Sequence, residues 1–155
     1  MAKGKDDKNV LTIKIKYIDN EMPKVEKIDI GDWIDLRALE EYRYAEGEFF
    51  LINLGVAMEL PEGYEAELKP RSSTFKNYGL IQVNSVGTID NSYCSDSDIW
   101  KMPVYAIRPG RVDKYDRICQ FRIVKTMSAS SPVEFVEVES LDNKERGGFG
   151  GTGTK

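Results

Sequence analysis

Asp90 and Tyr93 stand three residues apart in the stretch Val86-Gly87-Thr88-Ile89-Asp90-Asn91-Ser92-Tyr93, and this pair has the side chains to do chemistry. An ionised carboxylate can orient or deprotonate water, and an aromatic face can pack against a ring-shaped ligand. Side chains of an extended stretch alternate between faces, so the two converge only if the chain turns between them. Asn91-Ser92 supplies residues that favour such a turn. Gly87 has no Cβ, so another segment or a flat ligand can come close to its backbone. By itself the pattern also describes a hairpin corner carrying a solvated aspartate, and the rest of the chain has to decide between the two.

The chain has no histidine. That removes Ser-His and Cys-His nucleophilic machinery, imidazole-built zinc sites and a histidine general base, leaving acid–base work to carboxylate, Tyr, Lys or water. Cys94 and Cys119 are the only cysteines, too few for a disulfide scaffold, and are expected as free thiols. A net charge of −4 argues against a general binder of nucleic acid or acidic membrane, which needs a basic excess. The lysines of the first 27 residues are interleaved with Asp and Glu and make a solvated face. No apolar run approaches the ~20 residues that span a bilayer, and no charged-then-apolar leader is present. A cytoplasmic protein with no membrane or nucleic-acid partner is expected.

The elements that must position Asp90 and Tyr93 read as short strands. Leu11, Ile13, Ile15 and Tyr17 alternate with polar residues, the signature of a half-buried strand. Val25, Ile28 and Ile30 suggest a second strand before Gly31. Phe49–Leu54 and Val56–Leu60 are apolar runs broken by Gly55, and Leu60-Pro61-Glu62-Gly63 is a β-turn. Tyr64, Ala66 and Leu68 alternate up to Pro70. Arg71-Ser72-Ser73-Thr74 then opens one short helix closed by Gly79. Ile81 with Val83, Ile99–Ile107, Ile118 with Phe121 and Ile123, and finally Val133 with Phe135, Val136 and Val138 read as further strands, with a turn at Pro109-Gly110. The expectation is an all-β fold, a barrel or jelly roll. Residues 1–9 read as a loose lead-in, 10–142 as the domain and 143–155 as a mobile glycine-rich tail. Backbone N–H groups of such a tail can wrap phosphate oxygens, Arg146 can pair with them, and Phe149 can stack on a base.

Five segments resemble, in order, the five motifs of the homotrimeric dUTPase family, in its bacterial and prophage-encoded branch. They are Asp35-Leu36-Arg37-Ala38, Pro70-Arg71-Ser72-Ser73, Gly87-Thr88-Ile89-Asp90-Asn91-Ser92-Tyr93, Asp116-Arg117-Ile118-Cys119-Gln120, and Arg146-Gly147-Gly148-Phe149-Gly150-Gly151-Thr152-Gly153. The resemblance implies a distorted jelly-roll subunit of the β-clip type, with one short helix, and a trimer with three active sites at subunit interfaces. It implies Mg²⁺-assisted cleavage of dUTP to dUMP and pyrophosphate, which limits uracil incorporation into DNA and supplies dUMP for dTMP synthesis. Asp90 would activate the water that attacks the α-phosphorus, and Tyr93 would pack under the deoxyribose. Asn84 and the backbone around Gly87, Thr88, Ile89 and Asp98 would read the uracil edge. Arg71, Ser72, Ser73 and Gln120 would hold the phosphates. Arg146, Gly151 and Thr152 would close on the γ-phosphate with Phe149 over uracil, and Asp35 would steady the magnesium through water.

The pattern departs from the family at Ser95 and Tyr115, where glycine is usual, at Gly151 in place of serine, and at Trp33-Ile34, where smaller residues precede the first motif. Two other readings share the resemblance: a dCTP deaminase of the same fold, and a relative retaining the fold as a regulatory binding protein with a protein partner.

Overall fold

The computed structural model describes residues 9–148. Among them the strands run β1 (Lys14–Tyr17), β2 (Ile34–Arg37), β3 (Tyr42–Tyr44), β4 (Phe49–Asn53), β5 (Val56–Glu59), β6 (Tyr64–Pro70), β7 (Leu80–Gln82), β8 (Gly87–Ile89), β9 (Lys101–Ala106), β10 (Gly110–Val112) and β11 (Arg117–Lys125). Helix α1 (Thr74–Tyr78) follows β6, and α2 (Met127–Ser130) follows β11. The pairings are antiparallel and form four small sheets, β1-β5, β10-β3, β2-β11-β6-β8 and β4-β9-β7, none of which closes on itself as a barrel.

All four sheets bury side chains in one cluster. Leu36, Ala66, Leu68, Ile118 and Phe121 come from the four-stranded sheet, and Ile52, Leu80, Met102 and Val104 from the three-stranded one. Trp100 meets Phe121 edge-on, with centroids 5.2 Å apart at 85°. Such a pair adds about 0.5–1.5 kcal/mol to what burial of its area provides. Strand β11 carries an irregularity between Arg117 and Cys119, where its register against β2 slips. Two consecutive residues, Ile118 and Cys119, consequently both enter the core, which strict alternation forbids. Beyond the slip, Gln120 and Arg122 take the opposite face of the sheet.

The helix expected after Pro70 is present. Gly79 ends it at φ +64 and donates its N–H to the Phe75 carbonyl. That conformation suits glycine.

Three expectations fail. Val25, Ile28 and Ile30 form no strand. The apolar set Val133, Phe135, Val136 and Val138 forms none either and is exposed, Phe135 at 95%. The helix is not single, because α2 was not anticipated. Alternating apolar residues become a strand only where a second backbone offers a ladder. Here α2, capped by the Thr126 hydroxyl accepting from the Ala129 N–H, turns the chain before residue 133, and the described part of this chain supplies residues 133–138 with no partner.

Candidate functional site

Strand β11 lies at the middle of its sheet and sets Gln120 directly opposite Asp35 of β2 on one side and Lys69 of β6 on the other. Directly opposed residues share a face, so Asp35, Gln120 and Lys69 line one polar surface. Asp35 is held by two guanidiniums: its Oδ1 lies 3.1 Å from Arg71 Nε and its Oδ2 3.8 Å from an Arg117 nitrogen. Gln120 donates to the Pro70 carbonyl at 3.1 Å, tying the end of β6 to β11. The Arg71-Ser72-Ser73 corner is braced from within by Thr74. Its buried hydroxyl accepts from the Arg71 N–H at 3.0 Å and donates to the Ile118 carbonyl at 2.9 Å. Ser73 makes no side-chain cap to α1, so its hydroxyl is not committed there. Asp116 adds a second brace, accepting from the Tyr78 hydroxyl at 2.9 Å and from the Asp113 N–H at 3.0 Å. Burial, with Asp116 beside it, pushes the Tyr78 hydroxyl up to about 12. The cluster therefore offers cations and hydroxyls on a fixed backbone, the combination that binds phosphate oxygens.

The departure at Tyr115 has a local explanation. Tyr115 sits at φ +68, a conformation that glycine adopts freely and a tyrosine adopts at a cost of roughly 1–2 kcal/mol. Its hydroxyl donates to Asp19, Lys114 lies 4.8 Å from its ring centre, and its N–H donates to the Ala38 carbonyl. These contacts offset the strain. Ser95 needs no such help, since its φ is not positive. It accepts from the Asp98 N–H at 3.1 Å and donates its own N–H to the Asp98 carboxylate at 2.9 Å, closing a tight loop.

Asp90 follows β8 on an exposed turn. Its Oδ1 accepts both the Ser92 hydroxyl and the Ser92 N–H. The hydroxyl first and the N–H second hold the carboxyl below its ordinary value, so it is ionised at neutral pH. The second carboxylate oxygen makes no hydrogen bond among the described residues and is free to take a water. Tyr93 donates its N–H to the Asp90 carbonyl at 3.0 Å and its hydroxyl to the Ile99 carbonyl at 3.1 Å, so the ring is strapped across the loop while the residue stays 39% exposed. The turn is pinned to the body by Asn91, whose amide donates to the Pro61 carbonyl at 2.9 Å and the Tyr64 carbonyl at 2.8 Å. A Cβ at Gly87 would stand 3.1 Å from Leu68 Cβ, so a side chain there would require the neighbouring strand to give by a few tenths of an ångström. Thr88 is exposed and Ile89 half-buried, and Asn84 accepts from the Gln82 amide at 3.0 Å.

The sequence motifs thus gather into two groups, and one chain does not bring the groups together. Ile89, next to Asp90, is paired with Ala66, while Arg71 lies five residues further on, just past the end of β6. At a strand rise of about 3.3 Å per residue that is a separation of roughly 15–20 Å. Arg146 is exposed and forms no ion pair among the described residues; Phe149, Gly151 and Thr152 lie outside them. The supports Asn91, Ser92, Thr74 and Asp116 were not singled out for these bracing roles from sequence. Their residue types signal only turns and caps, and their partners are distant in the chain. No group of three or more His, Cys, Asp or Glu able to hold a metal occurs among the described residues. Asp35 is the carboxylate in ion-pair range of both Arg71 and Arg117.

Residues 33–153 match the dUTPase family model. The chain is 56% identical over 145 residues to the SPbeta prophage-derived deoxyuridine 5'-triphosphate nucleotidohydrolase YosS of Bacillus subtilis, covering 94% of this chain and all of that protein. It is 37% identical over 155 residues to the deoxyuridine 5'-triphosphate nucleotidohydrolase of Finegoldia magna, covering 91% and 99% of the two. Among solved structures, a mutant dUTPase of Staphylococcus bacteriophage 80alpha with dUpNHpp superposes at a TM-score of 0.74, with 20% identity over 92% of this chain and 99% of that one. The last likeness shows the fold, a jelly roll.

Proposed function

The chain belongs to the dUTPase family and hydrolyses dUTP, and on that premise we propose that Asp90 aims the water that attacks the α-phosphorus, releasing dUMP and pyrophosphate. The observation that carries this reading is the state of Asp90: ionised, with one oxygen locked by Ser92 and the other open. A carboxylate so held is a weak base, so its effect comes largely from fixing the water in line. Tyr93 offers its ring face to the deoxyribose, where a 2′-hydroxyl would collide with the ring. Asn84 and the main chain from Gly87 to Ile89, with that of Asp98, meet the uracil edge. Arg71, Ser72, Ser73 and Gln120 bind the phosphate chain, and Arg146, Phe149, Gly151 and Thr152 close over it.

The substrate is strongly anionic and the protein is net negative, so local cations must carry the attraction. Mg²⁺ bound with the triphosphate would supply charge neutralisation, and Asp35 would support it through water. A staphylococcal phage phi11 dUTPase, 19% identical, is described as coordinating a structural Mg(II) ion.

Arg71 has to lie within hydrogen-bond reach of a phosphate chain that Asp90 also addresses, and the separation along β6 favours drawing the two from different subunits. With the subunit number taken from the family resemblance, the reading is a homotrimer whose sites combine the Asp90 turn of one subunit with the Arg71–Asp35–Gln120 face of another. The exposed apolar segment from Val133 to Leu141 supports association, since such a stretch is stable when covered. No helix among the described residues is long and apolar enough to cross a membrane. We place the enzyme in the cytoplasm.

Pyrophosphate release from dUTP, dCTP, UTP and dTTP with Mg²⁺ tests the reading. Rapid release from dUTP alone is expected, and Asp90→Asn should lower turnover by orders of magnitude while leaving dUTP affinity largely intact. Equal activity of the variant would remove Asp90 from the mechanism. Ammonia from dCTP would favour a deaminase, and no reaction with any nucleotide a regulatory binding protein.

A further inference from the structure

We infer that Gln82 sets the base preference of this site, by fixing which end of the Asn84 amide faces the base. The inference rests on the reading of Asn84 as a contact to the uracil edge. Gln82 ends β7 and is buried, 5% exposed. Its Nε2 lies 3.0 Å from the Leu68 carbonyl and 3.0 Å from Asn84 Oδ1. These two contacts have only one consistent polarity. A main-chain carbonyl can only accept, so the Gln82 atom facing Leu68 is the nitrogen. That nitrogen can only donate, so the Asn84 atom facing it is the oxygen. The Asn84 NH₂ is thereby turned the other way, as a donor.

The anchor of this relay is rigid. Leu68 is paired to Phe121 on one side and Gly87 on the other, in the middle of the four-stranded sheet. The relay also has a cost: Gln82 Oε1 is buried with no hydrogen-bond partner among the described residues. Leucine here would leave no orphaned Oε1 but would take the donor from the buried Leu68 carbonyl, so the amide serves that carbonyl as well as Asn84. The cost is accounted for if the amide is kept for these two contacts.

Uracil and cytosine differ at ring position 4, an oxygen acceptor in one and an amino donor in the other. A fixed Asn84 NH₂ complements the oxygen and confronts the amino group. Without Gln82, a half-turn of the Asn84 amide would present its oxygen to cytosine, and most of this discrimination would be lost. Gln82 is thus a positioning residue, acting through Asn84.

The test compares full-length wild type, Gln82→Leu and Gln82→Glu, each also in an Asn84→Ala background, for kcat and KM with dUTP and dCTP. Binding of dUMP and dCMP by calorimetry reads the same preference without turnover. Gln82→Leu should reduce the dUTP-over-dCTP preference in kcat/KM about tenfold or more, the scale of one lost hydrogen-bond match, through KM with kcat little changed. Gln82→Glu should go further. As an acid it gives its one proton to Leu68 and accepts from Asn84, and as a carboxylate it accepts from Asn84, so both states turn the Asn84 oxygen towards the base. Use of dCTP should then rise in absolute terms. In the Asn84→Ala background neither change should alter the preference. An unchanged preference in both single variants, a parallel loss for both nucleotides, or the same loss without Asn84 would overturn the inference. Wild type that binds dUMP over dCMP yet releases no pyrophosphate would sink the hydrolytic mechanism and leave the relay testable by binding; wild type that binds neither would sink both.

Discussion

Replacing Thr74 by valine separates the two roles that a buried threonine can have. The side chain is 1% exposed and its hydroxyl bridges the Arg71 N–H and the Ile118 carbonyl. Valine keeps the shape and removes both bonds. The Ile118 carbonyl, left unpaired in the core, should cost about 1–3 kcal/mol, and the net bond at half-buried Arg71 about 0.5–1.5 kcal/mol. A total of about 1.5–4.5 kcal/mol corresponds to a fall in Tm of roughly 3–18 °C for a chain of this size. Thr74→Ser keeps the hydroxyl and removes one methyl group, about 1 kcal/mol. Thermal melts of the three proteins at one fixed concentration, because subunit association makes Tm concentration-dependent, give the order wild type, serine, valine. The KM for dUTP should rise more in the valine variant, since the corner carrying Arg71 loses its brace. A valine variant as stable as wild type beside a weaker serine variant would show that packing alone holds this corner, and the argument from the two hydrogen bonds would be wrong.

Three further outcomes follow from the site. Ser92→Ala removes the hydroxyl that most lowers the Asp90 carboxyl, so the acid limb of kcat/KM for dUTP should move to higher pH. The sign follows because activity requires ionised Asp90 and is lost as pH falls through its pKa; an unmoved limb would mean that another group sets it. Tyr93→Ala should raise UTP cleavage relative to dUTP, whereas Tyr93→Phe, which loses only the bond to Ile99, should keep the ratio of wild type; an unchanged ratio in the alanine variant would mean that something else screens the ribose. Removing residues 146–155 should slow turnover while gel filtration and circular dichroism stay as in wild type, and a truncated protein at full rate would contradict closure by the tail.

How much was legible depended on whether the information was local. Period-2 alternation in Tyr64–Pro70 and around Phe121 comes from which side chains tolerate a half-buried pleat, and those strands appear where expected. The same alternation at Val133–Val138 misled, because pairing needs a second backbone and the described chain provides none. Tyr42–Tyr44 gave no clear strand pattern, and its pairing with Gly110–Val112 depends on a segment almost seventy positions away. Turn residues could be seen at Asn91-Ser92, yet their partners, the Pro61 and Tyr64 carbonyls and the Asp90 carboxylate, could not all be read from residue type.

From the sequence alone came the absence of histidine chemistry, the β-rich class, the five motifs and the candidate carboxylate, all matters of residue type and order. Only the tertiary structure decided that Asp35 is shared between Arg71 and Arg117, that Tyr115 is held in a glycine-like conformation by Asp19, and that Gln82 turns the Asn84 amide. It also decided that the Asp90 turn and the Arg71 corner stand at opposite ends of β6. Each of these depends on strand register and on which polar atoms burial brings within about 3 Å of one another, and a linear string of residue types does not contain either.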